Sequence, residues 1–247
     1  MIFLSGQRIA PEHVLNSDQL NPAEQKIIEA MLTSPARYDY SSMRELSFET
    51  SFRNHTIQSA TALIHSGAKF ATFAKTYGND MFWRRSPEGA LELRYNVPAA
   101  LGIRDIFERG SLYAFECATA IVVIFYFALL RMIGDQAFNA AFPTITLYDW
   151  HYEKLPVYSE IRNDFLPGDC LYFANPDFDP ARPEWRGENA IYFGYDQFAA
   201  FGLGILTAEQ VIQRLNSFRK RGATQSAYLM SHVTRVDILE LLSRIQR

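Results

Sequence analysis

Glu116 and Cys117 stand side by side in the segment Tyr113 to Ala120, YAFECATA, at the head of a long apolar run. A helix that begins there offers free backbone amides and its positive dipole end to the sulfur. Both stabilise a thiolate, the nucleophilic form. These residues fit an activated cysteine with a carboxylate at hand. Two plainer alternatives stand beside that one: a small buried hydrophobe for the thiol, and an acid that merely complements the helix dipole for Glu116. The other cysteine, Cys170, lies in the strand-like pattern DCLYFAN with no helix start to activate it. Neither cysteine belongs to a CxxC or Cys/His ligand spacing, so no zinc or other metal is expected.

A cysteine nucleophile needs a proton acceptor, and the ordinary one is histidine. His13, His55, His65, His151 and His232 are available. None lies between His151 and His232, the strand-rich region where a partner for Cys117 is expected. His55 and His65 fall on a predicted helix and suit a surface or a satisfied core position. His151, in YDWHYEKLP, alone has an aromatic, charge-bearing context. Glu188 is the better candidate. It opens an apolar strand after Trp185, Arg186 and Gly187, beside a glycine that permits close backbone approach. Partial desolvation there raises a carboxyl toward the range of a proton acceptor near neutral pH. The plain alternative is a strand-end surface glutamate.

The elements that must position these groups are mixed. Asn21, Pro22 and Glu24 make a helix start, followed by Ile27, Ile28, Met31 and Leu32 at helical spacing before Pro35. A second helix is predicted from Ser42, with Glu45 three residues on, to Gly67. Together they form an N-terminal helical layer. Tyr77 to Tyr95 is predicted as a hairpin or long loop, and Pro98 to Glu108 as a helix closed by Gly110. The apolar helix is predicted from Cys117 to Ile133, stopped by Gly134. Strands are predicted at 144–150, 169–175, 188–196 and 198–205. A helix opened by Thr207 and Gln210 runs to Gly222, and a last strand spans 226–236. The result is an α+β fold in a single domain over residues 1–247, with a helix that carries the cysteine followed by an antiparallel sheet.

Composition narrows the function. The 247 residues are 48% hydrophobic and 21% charged with a net charge of −3, ordinary globular values with no whole-chain case for nucleic acid. The basic run Arg219, Lys220, Arg221 reads as a solvated helix end. Two unpaired cysteines fit a reducing cytoplasm. The start MIFLSGQRIAPEHV shows no secretory signal, and the uncharged run from Cys117 to Leu130 falls short of the roughly 20 residues of a membrane span, so no membrane partner is expected. Aromatic residues are numerous, with 19 Phe, 13 Tyr and 3 Trp, which suits an aromatic-lined cleft.

Several segments together resemble one family. YAFECATA, LYDWHYEKLP at 147–156, GDCLYF at 168–173, WRGEN at 185–189, GLGIL at 202–206 and LNSFRKRGATQSAYL at 215–229 are similar to the spore-coat transglutaminases of spore-forming bacilli. SGAKFATFAKTYGN at 66–79 and SPEGALELRY at 86–95 are similar as well. The resemblance implies a papain-like cysteine-enzyme core of the cell-wall peptidase type, working without calcium or any other cofactor. Carried over by position, Cys117 matches the family nucleophile, Glu188 its paired carboxylate and Glu116 an acid able to share that role. Phe70, Trp150, Tyr172 and Trp185 would line a tunnel over the thiol, and Asn189 would touch substrate. Phe201 stands where the family tends to have histidine. The implied partners are spore coat proteins, as glutamine donors and lysine acceptors. The protein is expected to be a monomer, made in the mother-cell cytoplasm and deposited on the spore coat. A hydrolytic amidase or peptidase and a noncatalytic coat scaffold are the rival readings.

Overall fold

Asn21 begins the first long helix as its residue type predicts. Its Oδ1 accepts from the Ala23 and Glu24 amides, both at 3.0 Å, and Glu24 Oε2 accepts from the Asn21 amide at 3.2 Å. The computed structural model describes residues 1–15, 20–150 and 155–245; His151 and the side chain of His13 fall outside the described residues. The described helices are α1 (Pro11–Leu15), α2 (Pro22–Thr33), α3 (Met43–His65), α4 (Ala99–Glu108), α5 (Cys117–Ala141), α6 (Ala208–Asn216) and α7 (Ile238–Ile245). Ser42 caps α3 through the Glu45 amide, and Thr207 and Gln210 cap α6 reciprocally at 2.9 and 3.3 Å. Helix α6 ends at Asn216, short of the predicted Gly222. The basic run beyond it folds back, with Lys220 Nζ 2.9 Å from Asp177 Oδ1.

The main sheet has six antiparallel strands: β1 (Val157–Ile161), β2 (Cys170–Ala174), β3 (Gly187–Gly194), β4 (Gln197–Ala200), β5 (Gly204–Leu206) and β6 (Tyr228–Val236). Their spatial order is β5-β4-β3-β2-β6-β1. The last strand in sequence thus enters the sheet beside β2, with the unpredicted β1 on its outer edge. The segment predicted as one return strand, 198–205, is two strands that turn at Phe201 to Leu203. Of the strand predicted at 144–150, Thr146–Leu147 alone is strand. The N-terminal layer also contains strand. Ile2–Leu4 pairs parallel with Tyr38–Tyr40 and antiparallel with Gln7–Arg8, covering α2.

Helix α5 lies in the middle of the molecule. From Cys117 to Tyr126 every residue is buried, so no polar stripe is needed, and the helix packs on α3, α4 and β3. Its mean hydropathy and length would suit a membrane span, and its most apolar stretch is 72% buried inside the protein. Gly134, predicted as its end, is a break: at φ 77° and ψ 169° the backbone leaves the helix and then re-enters it to reach Ala141. The α+β class stands, with α3 and α5 together filling one side of the sheet.

Candidate active site

The first turn of α5 and the ladder between β2 and β3 build the site. Glu116 is the N-cap of α5, with extended dihedrals of φ −78° and ψ 160° that fold its side chain back over the helix start. One carboxylate oxygen, Oε2, accepts from the Ala118 amide at 2.7 Å. The other, Oε1, accepts from the Cys117 thiol at 3.0 Å. The short strand Ala114–Phe115, parallel to Lys69–Phe70, holds this cap in place. Across the cleft, Asn189 Nδ2 donates to Cys117 Sγ at 3.6 Å.

Burial, the charges of Glu188 and Glu116 and the hydrogen bond to Glu116 push the Cys117 thiol well above its ordinary range; an Asn189 backbone amide opposes them. The resting sulfur is a thiol whose proton points at a carboxylate. Glu188 is 1% exposed, and its Oε1 has no hydrogen-bond partner among the described residues. Burial first, and the Glu116 charge second, raise this carboxyl well above the usual range, against the pull of the Phe201 amide. The site therefore holds two carboxyls of unlike character: Glu116 hydrogen-bonded by one helix amide and the thiol, and Glu188 biased to its neutral form.

A cleft of about 740 Å³ opens over the sulfur, within the size range of small-molecule sites. Cys117, Glu116, Trp150, Tyr172 and Asn189 line it. Glu188 does not. Strand alternation puts Tyr172 and Asn189, a register pair, on the cleft side, and the next pair, Phe173 and Glu188, one step along the ladder. Phe70 and Trp185 are absent from the lining too. Trp185 is buried between Phe70, at 5.5 Å between ring centres, and Phe218, at 4.0 Å, and stiffens the loop that leads into β3.

Sequence reasoning missed part of the wall. Thr72, Phe73, Asp149, His232 and Thr234 line the same cleft. Met230, His232 and Thr234 alternate along β6 on the cleft face, and that period of two is visible in SAYLMSHVTRV once the strand's neighbours are known. His55, bonded to the Ser51 carbonyl at 2.8 Å, and the exposed His65 sit on α3 away from the cleft. Phe201 packs its ring on Phe115 at 5.1 Å, where a histidine would sit against the core. Cys170 is buried, and burial pushes its thiol far up, so it is an inert packing residue.

A buried thiol at a helix start, facing a carboxylate in an open cleft beside an antiparallel sheet, has the parts that cysteine-dependent acyl transfer requires. Residues 1–245 match the family model described as protein-glutamine gamma-glutamyltransferase, and the chain belongs to that family. It is 58% identical to the protein-glutamine gamma-glutamyltransferase of Bacillus licheniformis, covering 100% of both chains. It is 54% identical to that of Bacillus subtilis, covering 98% of both. A solved transglutaminase from Geobacillus stearothermophilus superposes with a TM-score of 0.79 at 45% identity, covering 82% of this chain and 97% of that one.

Proposed function

We propose that the protein cross-links other proteins by joining a glutamine side chain to a lysine, with Cys117 as nucleophile. The Cys117–Glu116 contact at 3.0 Å carries this reading, because it gives the nucleophile a proton acceptor without histidine. Glu116 takes the thiol proton as sulfur adds to the carboxamide carbon. The C–S bond forms and the carbonyl electrons move onto oxygen. Collapse restores the carbonyl and breaks the C–N bond, and ammonia leaves with the proton that Glu116 returns. The thioester then receives a neutral lysine amine, loses thiolate and yields the isopeptide, while Glu116 accepts the amine's proton. Glu188 serves as the second proton site of this pair. Its burial and its coupling to Glu116 and Cys117 support that role, and its place behind the cleft wall makes it act on the pair rather than on substrate.

Charge on the cleft suits the acceptor. Glu116 and Asp149 face the space where a lysine ammonium must enter before it loses its proton. Trp150 and Tyr172 narrow the approach of water to the thioester. The natural substrates we propose are spore coat proteins, with the enzyme made in the mother-cell cytoplasm and acting as a monomer on the coat. Its relatives from spore-forming Bacillus species support this placement. The test is incorporation of a fluorescent primary amine into a glutamine peptide, with mass spectrometry for the loss of ammonia. Cys117→Ala should show none. Glutamine hydrolysis that runs equally fast with and without amine would identify an amidase instead.

A further inference from the structure

The hydroxyl of Tyr172, in the cleft, has no protein partner among the described residues. Tyr172 lies directly across the β2–β3 ladder from Asn189, whose side-chain amide reaches the Cys117 sulfur. Its phenol lies over Gly187. A Cβ built on that glycine would stand 2.0 Å from Tyr172 Oη and 2.2 Å from Cζ, so the ring occupies the space that any side chain at 187 would need. Gly187 and Asn189 share a strand face, and both line the cleft with Tyr172, Glu116 and Cys117. Among the described residues the phenol makes no hydrogen bond to protein, and it is only partly buried. Burial and the nearby Cys117, Glu188 and Glu116 disfavour its ionisation, against Arg186, so it remains an O–H donor.

The reaction needs such a donor. Addition of sulfur to a carboxamide places a full negative charge on the former carbonyl oxygen, and donors aimed at that oxygen lower the barrier. The helix start supplies fewer than usual here. Glu116 Oε2 occupies the Ala118 amide and the Glu116 carbonyl occupies the Ala120 amide. The Cys117 amide, at the first helical position, has no partner among the described residues. One backbone donor on the nucleophile itself is half of a two-donor site. The Asn189 side chain already serves the sulfur, and the Tyr172 hydroxyl, on the residue paired with Asn189 across the ladder, is the donor placed to act as the second.

We infer that Tyr172 is a catalytic residue whose phenol O–H, together with the Cys117 amide, hydrogen-bonds the oxyanion of both tetrahedral intermediates. The first arises when sulfur adds to the glutamine carboxamide, the second when the lysine amine adds to the thioester. In each, the carbonyl electron pair moves to oxygen and returns as the leaving group, ammonia or thiolate, departs. The phenol keeps its proton throughout. This assignment rests on the acyl-transfer reading above. It also accounts for glycine at 187, because alanine would push the phenol off the cleft floor.

Tyr172→Phe tests it, because the ring is kept and one oxygen is lost. With a glutamine peptide and a fluorescent amine, kcat should fall about 10²–10³-fold, the scale of one lost oxyanion donor, with KM within about threefold of the parent. Iodoacetamide alkylation of Cys117 forms no oxyanion, so its rate should match the parent's within about twofold. Unchanged alkylation also shows that the variant is folded. Transfer that stays within about threefold of the parent would overturn the assignment, as would a raised KM with unchanged kcat. Alkylation falling in step with transfer would overturn it too, since Tyr172 would then act on the thiol. A parent enzyme inactive toward glutamine would instead overturn the proposed function.

Discussion

Glu116 Oε1 accepts the Cys117 thiol at 3.0 Å while Oε2 of the same carboxylate accepts the Ala118 amide at 2.7 Å, so one carboxylate both caps the helix and takes the thiol's hydrogen bond. Adjacent residues seldom face each other, and here the extended dihedrals of an N-cap make it possible. Burial first, and then the charges of Glu188 and Glu116, keep the sulfur protonated at rest. The arrangement differs from a thiolate–imidazolium pair, which is charged at rest. Its consequences can be measured.

Glu116→Gln should separate thiol acidity from catalysis. Its charge and hydrogen bond raise the Cys117 thiol above the ordinary 9.0. Removing them lowers the thiol toward that value, so iodoacetamide alkylation at pH 8 should be faster than in the parent. Amine incorporation should fall by about 100-fold or more, the usual scale for a lost general base. Alkylation that slows in this variant would show that Glu116 activates the thiol by stabilising its anion, contrary to this account. In the parent, the alkylation rate should still be climbing at pH 9 rather than reaching a plateau near neutrality.

Glu188→Gln should stabilise the protein at alkaline pH while impairing it as an enzyme. The folded-state carboxyl lies above its unfolded value. As pH rises past 4.5 the unfolded chain therefore loses this proton first, and folding stability declines until the folded carboxyl also ionises. Glutamine removes that decline. The gain should be visible at pH 8 and absent at pH 4, and each 1 kcal/mol should appear as roughly 2–4 °C in Tm. Equal thermal shifts at both pH values would show that Glu188 is not held neutral.

The same physics explains what the sequence disclosed and what it hid. Cys117 and Glu116 were legible because cap and apolar run are local signals, Asn189 came from the resemblance alone, and the structure brings all three together. The placement of Glu188 behind the wall was not. Residues 188 and 189 differ by one step of strand alternation, and which face meets α5 depends on β2 and β6 arriving from elsewhere in the chain. The place of His232 was hidden for a related reason, since β6 enters the sheet between β2 and β1 and so brings its even-numbered residues to the cleft. Strand β1 was unreadable because VYSEI is an edge strand with polar residues on it, whereas α7 was overlooked although Asp237 and Glu240 give it a start signal, and Asp237 Oδ1 accepts from the Glu240 amide at 3.0 Å.

Asp169→Asn should be among the more damaging single changes outside the cleft. Its buried carboxylate takes Arg53 Nη1 at 2.7 Å and the Arg235 fork at 2.7 Å on both oxygens, tying α3 to β6 across β2. Burial alone would raise this carboxyl, but the two guanidinium groups outweigh it and hold it below its ordinary value. The stability it lends is thus present above the unfolded value and lost as pH falls through the folded one. Removing the charge leaves Arg53 with Glu49 as its remaining carboxylate and Arg235 with Glu160, so two buried cations are under-compensated, a loss of up to about 3–5 kcal/mol at pH 7. Urea denaturation at pH 7 and pH 3 checks this, and the deficit should shrink at the lower pH.

Trp150 and Trp185 should behave differently although both were expected to wall the thiol. Trp150 lines the cleft; Trp185 is stacked between Phe70 and Phe218 behind it. Truncating Trp150 opens the space over the thioester to water, so Trp150→Ala should raise ammonia release relative to cross-linked product with little change in stability. Trp185→Ala empties a packed site and should lower stability by about 3–5 kcal/mol, the range for a core tryptophan. Its partition between water and amine should move only as far as the β3 entrance, Gly187 to Asn189, loosens. Measuring ammonia and product together, beside a denaturation curve, separates the two cases. If Trp185→Ala shifts the partition as strongly as Trp150→Ala at unchanged stability, Trp185 reaches the cleft in the working enzyme, and the stack with Phe70 must open during turnover.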